Sequence, residues 1–164
     1  GEEAVRRSGA FHYIVRTAWL FGENGKNLVS TMLSLFRERK TVRVVQDQWG
    51  SPTYAADLAD ALLRFIDAEV IPPEGIYHFA NGGMVSWYDF AKEIDFQGSC
   101  MGLSPKGVEL VPVPGSEYPT AARRPKYSYL HTGKIQSALD MHVRGYPSAL
   151  HGYLLSVRSK GVNV

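Results

Sequence analysis

Trp19, Asn27, Gln48, Gly50 and Arg124 are the residues of this sequence whose types and settings point to ligand chemistry. Trp19 falls just past Phe11 to Ala18, a run of β-branched and aromatic residues, and so at the carboxyl end of a strand, where open α/β sheets place their ligands. An indole there offers a flat apolar face and one N–H donor, and the same features serve a plain core tryptophan. Asn27 follows the loop Gly22-Glu23-Asn24-Gly25 and starts a helix; its amide either faces a sugar or phosphate or is an ordinary N-cap. In the loop Gln46 to Tyr54, Asp47 and Gln48 supply polar groups, Gly50 allows close backbone approach and Pro52 stiffens the turn. Thr53 and Asp57 are read as capping and charging the next helix. Arg123 and Arg124 lie on a proline-bounded loop: guanidinium forks suit a diphosphate, and two adjacent arginines serve equally as a solvated pair or a carboxylate partner. His12, His78, His131, His142 and His151 show no metal-ligand spacing, and no metal is expected.

The elements that must position these residues alternate between strand and helix, an α/β chain. After the first strand, Leu28, Met32, Leu35 and Phe36 recur at helical spacing and predict a helix that ends in the mostly basic turn Arg37 to Lys40. Val42 to Val45 reads as a strand, and Ala55 to Ala68 as a helix with Leu58, Ala61, Leu62, Phe65 and Ile66 on its apolar side. Pro72-Pro73-Glu74-Gly75 breaks the chain before a strand at Ile76 to Ala80. Ser86 is a good N-cap for a helix from Trp87 to about Asp95, with Asp89 in its first turn. Irregular chain is expected over Gln97 to Gly107, then a strand at Val108 to Val113, an extended course through Pro112, Pro114 and Pro119, and helices at His131 to Leu139 and Pro147 to Val157.

Composition narrows the function classes. The 164 residues are 45% apolar and 12% aromatic, a globular balance that excludes a disordered or collagenous chain. Eighteen basic against sixteen acidic side chains leave a net charge of +2 without any basic block, so neither a nucleic-acid nor a membrane partner is expected. One cysteine, Cys100, cannot form an internal disulfide framework, and a cytoplasmic setting is expected. No Gly-x-Gly-x-x-Gly and no phosphate-loop pattern occurs, so a nucleotide cofactor would have its main site outside this chain. The first residues, Gly1-Glu2-Glu3-Ala4-Val5-Arg6-Arg7, read as the second half of a charged helix, as expected of a chain cut within an element.

Four stretches, in this order and at these spacings, are more specific than any one alone: Arg16 to Gly22 (RTAWLFG), Asp47 to Ala59 (DQWGSPTYAADLA), Ser86 to Ala91 (SWYDFA) and Glu117 to Ser128 (EYPTAARRPKYS). From Gly1 to about Leu155 the chain resembles the C-terminal part of the dTDP-4-dehydrorhamnose reductases, a family of extended short-chain dehydrogenases. The resemblance implies an incomplete Rossmann-like sheet with a small substrate-binding subdomain. All of residues 1–164 would belong to one reductase, with the sugar-nucleotide subdomain over about 41–60 and 76–130. It further implies NADPH- or NADH-dependent reduction of a dTDP-6-deoxy-4-keto sugar to dTDP-L-rhamnose for cell-surface polysaccharide. A homodimer is compatible with it.

On this resemblance the glycine turn, the keto-contacting Ser/Thr and the catalytic Tyr-x-x-x-Lys all lie upstream of Gly1, no catalytic residue is expected within the chain, and the chain alone should be inactive. Such chemistry needs a nicotinamide held over the carbonyl and a tyrosine acid with its pKa lowered by lysine. Tyr88 to Lys92 does match Tyr-x-x-x-Lys, but it coincides with the family's Ser-Trp-Tyr-x-Phe-Ala helix and is read as structural. The resemblance makes Trp19 the residue that packs on the deoxysugar; Asn27, Gln48, Gly50 and Arg124 are the further candidate substrate-binding residues. His131 and Gly145-Tyr146 depart from the family pattern. A non-catalytic relative resembling the regulatory β subunit of methionine adenosyltransferase is the alternative, against which Trp19 and the Asp47 to Asp57 signature stand. Another nucleotide-sugar reductase or epimerase is disfavoured by Tyr118 to Ser128. Absent sheet strands would leave an exposed apolar edge and poor solubility.

Overall fold

A computed structural model describes residues 1–118 and 124–161; Pro119 and Arg123, which figure in the expectations above, lie outside the described residues. After α1 (Glu2–Arg7), the strand β1 (Tyr13–Arg16) is followed by β2 (Leu20–Phe21) and α2 (Leu28–Glu38). Then come β3 (Thr41–Val45), β4 (Trp49–Gly50), β5 (Thr53–Tyr54) and α3 (Ala55–Ile66). The second half contains β6 (Gly75–His78), β7 (Val85–Ser86), α4 (Trp87–Cys100), β8 (Glu109–Val113), a 3₁₀ turn at Gly115–Glu117, β9 (Tyr127–Ser128), α5 (Gly133–Ala138) and α6 (Tyr146–Lys160).

The mixed α/β architecture rests on small sheets with mostly parallel pairing. β1 lies parallel to β6, Tyr13 facing Gly75 and Arg16 facing His78. β3 lies parallel to β8, with Thr41 opposite Glu109 and Val45 opposite Val113. β2 pairs with β5 in parallel, and β4 is the middle strand between antiparallel β7 and parallel β9. Parallel partners need long crossovers, which α2, α3 and α4 help to supply.

Two apolar clusters follow from this pairing. In the larger, Val29, Leu33 and Phe36 of α2 meet Phe90, Ala91 and Ile94 of α4, Leu150, Tyr153 and Leu154 of α6, and Val42 and Val44 of β3. The smaller joins Ala61 and Phe65 of α3 to Tyr77, Phe79, Ile135 and Val143, with the Tyr13 and Phe65 ring centroids 4.3 Å apart and their planes tilted by 33°.

Several expectations need correction. The first strand is confined to Tyr13–Arg16, because the chain leaves extended geometry before Trp19, whose φ is +47°. α4 continues to Cys100 instead of ending near Asp95. Gly98 does not terminate it: a Cβ there would stand 2.9 Å from Leu33 Cδ2, so this glycine lets α4 approach α2 closely. Of the apolar side expected for α3, Ala61 and Phe65 are buried, whereas Leu62 and Ile66 are exposed. Together with Leu63, Val70 and Ile71 they leave apolar side chains on the outside of this region.

Candidate functional site

The loop after β1 and the loop after β3 are fastened to one another through β5. Thr53 N–H donates to Trp19 O (3.2 Å), and Thr53 Oγ1 donates to Ala18 O (2.7 Å) while accepting from Thr17 Oγ1 (3.1 Å). Asn81, just past β6, closes the arrangement. Its own N–H donates to Pro52 O (3.0 Å), and its Oδ1 accepts from Tyr54 N–H (2.7 Å). Its Nδ2 donates to Asp57 Oδ2 (2.6 Å), which also accepts from Arg144 Nε (2.8 Å), and Arg144 Nη2 reaches Asp57 Oδ1 (2.6 Å). Thr53 and Asp57 are thus structural, Asp57 through a bidentate ion pair as well as its place in the first turn of α3. Hydrogen bonding to Asp57 raises the Arg144 pKa further, so this guanidinium stays cationic.

Two adjoining clefts open beside these loops. One, of about 280 Å³, is lined by Ala18, Trp19, Gln48, Trp87, Arg124, Pro125 and Ser128. The other, of about 290 Å³, is more apolar: Leu28 and Met32 of α2, Val44 and Val45 of β3 and Trp87 line it, together with Arg43, Gln48, Tyr118 and Arg124. Gln48, Trp87 and Arg124 border both. Trp19 and Trp87 stack with ring centroids 3.4 Å apart and planes 11° from parallel. At the rim of the apolar cleft Arg43 is ion-paired with Glu117, and the carboxylate of Asp47 accepts from Gly115 N–H (2.8 Å), which holds the turn after β8 against the loop after β3.

Of the five residues marked in the sequence, Trp19, Gln48 and Arg124 line the clefts. Gly50 adjoins them from behind: a Cβ at this position would lie 2.5 Å from Trp19 Cε2 and 2.6 Å from Ser128 Oγ. Asn27 is placed differently. Its side chain accepts from Ser30 N–H (3.0 Å) in a reciprocal capping box and donates to Gly22 O (2.8 Å), so the amide is consumed in starting α2. It does not line either cleft, although its neighbour Leu28 lines the apolar one.

Trp87 was missed as a site residue because Ser86 and the pattern after it read so well as a helix start. Its backbone N–H donates to Gln48 O (3.3 Å), tying the first turn of α4 to the polar loop. The two residues after it in the Tyr-x-x-x-Lys match do other work. Tyr88 OH donates to Leu110 O on β8 (3.4 Å), and Lys92 Nζ lies 5.5 Å from the Tyr88 ring centroid and 3.6 Å from Asp89. Neither borders the clefts. Among the described residues no group of three or more His, Cys, Asp or Glu is arranged to hold a metal ion, and no helix is long and apolar enough to cross a membrane.

The α/β frame of small, mostly parallel sheets is that of the extended short-chain dehydrogenase class. Solved structures place it within that class. UDP-N-acetylglucosamine 4-epimerase from Bacillus cereus superposes with a TM-score of 0.65 at 17% identity over 96% of this chain and 49% of that one, a likeness of fold alone. dTDP-4-dehydrorhamnose reductase from Bacillus anthracis, solved with NADP, superposes with a TM-score of 0.83 at 35% identity over 94% of this chain and 52% of that one. The family model described as the RmlD substrate binding domain matches residues 1–159. dTDP-4-dehydrorhamnose reductase from Salmonella typhimurium is 39% identical over 86% of this chain and 48% of its own length. The spore coat polysaccharide biosynthesis protein SpsK of Bacillus subtilis is 38% identical over 94% of this chain and 50% of its own. The chain belongs to the dTDP-4-dehydrorhamnose reductase family and spans about half the length of the curated relatives it matches.

Proposed function

We propose that this chain supplies the substrate side of a dTDP-4-dehydrorhamnose reductase, an oxidoreductase that converts dTDP-4-dehydro-6-deoxy-L-mannose to dTDP-L-rhamnose. The observation that carries the reading is the pair of clefts meeting at Gln48, Trp87 and Arg124. A nucleotide sugar has an apolar-faced base at one end, a deoxysugar at the other and a diphosphate between. The apolar cleft suits the base, the indole-lined cleft suits the C–H and methyl faces of a 6-deoxyhexose, and Arg124 stands at their common border where the diphosphate would lie. Gln48 is within the same border and can donate to either end.

The cofactor reading is NADPH or NADH, and the residues present do not fit a dinucleotide cradle: the sequence has no glycine turn of the required spacing. Hydride transfer and protonation of the developing alkoxide are therefore assigned to groups beyond this chain, whose own residues bind and orient the keto sugar. The partners are then the dTDP sugar and, as a proposal, a second copy of the enzyme, in a cytoplasmic setting.

Calorimetric titration of the chain with dTDP and dTDP-L-rhamnose tests the reading. Arg124→Ala is expected to weaken both by about 10- to 100-fold, the loss of charge-assisted hydrogen bonds to a diphosphate. Unchanged affinity in the variant would remove Arg124 from the site.

A further inference from the structure

Trp19 is held in a backbone conformation it would not choose. Its φ of +47° lies in the left-handed region that L residues other than Asn and Asp seldom occupy, and such conformations persist only where the surroundings fix them. Thr53 fixes the main chain through its N–H and its hydroxyl. That leaves the side chain, whose rotamer decides what the cleft presents. Two contacts settle it. The Trp87 ring lies 3.4 Å away and nearly parallel, and the absence of a Cβ at Gly50 leaves the notch that the six-membered ring of Trp19 occupies.

We propose that Trp87, acting together with the Gly50 notch, is the positioning residue of the sugar platform: it stacks on Trp19 and holds that indole where the deoxysugar cleft can use it. Trp87 suits this part because it is itself anchored twice, as the first residue of α4 behind the Ser86 cap and through its N–H bond to Gln48 O. Face-to-face contact buries a broad apolar area of both indoles, and a large ring also blocks the rotamers that would carry Trp19 out of the cleft. Because Trp87 borders the apolar cleft as well, it is a rigid wall between the two ends of the ligand. This inference rests on the reading of Trp19 as the sugar-contacting residue.

The test measures the ratio of dTDP-L-rhamnose affinity to dTDP affinity for the 164-residue chain, which isolates the sugar's contribution from that of base and diphosphate. Trp87→Ala and Gly50→Ala are expected to lower this ratio by about 3- to 10-fold, and Trp87→Phe, which keeps a flat ring, to restore most of it. Proton NMR of the same proteins should show ring-current-shifted indole signals in the wild type and in smaller degree in Trp87→Phe, and their loss in Trp87→Ala. Should Trp87→Ala fail to unfold cooperatively, Gly50→Ala and Trp87→Phe carry the comparison. A wild-type preference for the rhamnosyl nucleotide that survives unchanged in the variants would overturn the positioning role. A wild-type ratio of one would instead sink the sugar-platform reading of Trp19, and the present inference with it.

Discussion

Removing the Asp57 carboxylate should destabilise the chain by about 2–3 kcal/mol. The figure follows from three short hydrogen bonds, two from Arg144 and one from Asn81. Hydrogen bonds to charged groups contribute about 1.5–3 kcal/mol each when shielded. Here the Asp57 side chain is 16% exposed but that of Arg144 is 40% exposed, so water screens the pair and the freed guanidinium can be rehydrated. Asn81 has less freedom: the residue is 2% exposed, and without Asp57 its Nδ2 keeps only Arg144 O at 3.4 Å. A partly stranded buried donor adds about 1 kcal/mol, which brings Asp57→Ala to the stated range. Urea unfolding of wild type, Asp57→Ala, Arg144→Ala and the double variant gives the assay, with equal slopes as the check that the unfolded states match. The two single changes should couple by about 1–1.5 kcal/mol, since neither partner has another ion-pair partner among the described residues. A loss below about 0.5 kcal/mol in Asp57→Ala, or additivity within that margin, would show that the network is solvated in solution and does not hold α3 to the segments after β6 and before α6.

Smaller perturbations read other parts of the molecule. Tyr88→Phe removes a 3.4 Å hydrogen bond to Leu110 O and is expected to cost under about 1 kcal/mol and to leave dTDP-L-rhamnose binding unchanged; lost binding with intact folding would return Tyr88 to the site. Burial pushes the Asp95 carboxyl up, and its Oδ1 has no hydrogen-bond partner among the described residues. The folded state therefore holds that proton more tightly than the unfolded one, and stability falls as pH rises through the carboxylate range. Asp95→Asn should raise Tm at neutral pH and give no gain near pH 3, and a gain of equal size at both would assign the effect to something other than ionisation. NADPH oxidation with the keto sugar is not expected from this chain alone; measurable turnover abolished by Tyr88→Phe would contradict the proposal that the proton donor lies outside this chain.

What the sequence made legible was the frame. Helical spacing of Leu28, Met32 and Phe36, the Ser86 cap and the β-branched run at Val42 to Val45 each carry their own signal, and α2, α4 and β3 lie where those signals put them. β2, β4, β5, β7 and β9 are two residues long, too short for any alternation to register, yet they bring Trp19, Gly50 and Ser128 together. Their pairing is tertiary information. The same holds for Trp87, whose stacking partner is 68 residues earlier in the chain. Gly98 misled in the opposite direction: a glycine that normally weakens a helix sits within α4 because Leu33 needs the space. Leu62 and Ile66 look like core on α3 by periodicity, but β1 and β6 cover only the stripe that contains Ala61 and Phe65.

The order in which parallel strands pair has a consequence for how this polypeptide comes into being. β1 waits for β6, β3 waits for β8, and in the chain β3 falls between the first two while β6 falls between the second two. The pairings are interlocked like alternating stitches: β1 and β6 both lie within the first half of the chain, whereas β3 needs a partner from the second half. On the ribosome the β1–β6 stitch can close before α4 is made, whereas the β3–β8 stitch waits until α4 and its Trp87 have emerged. Completion of the two clefts is therefore a late event, because Arg124, which borders both, lies beyond β8.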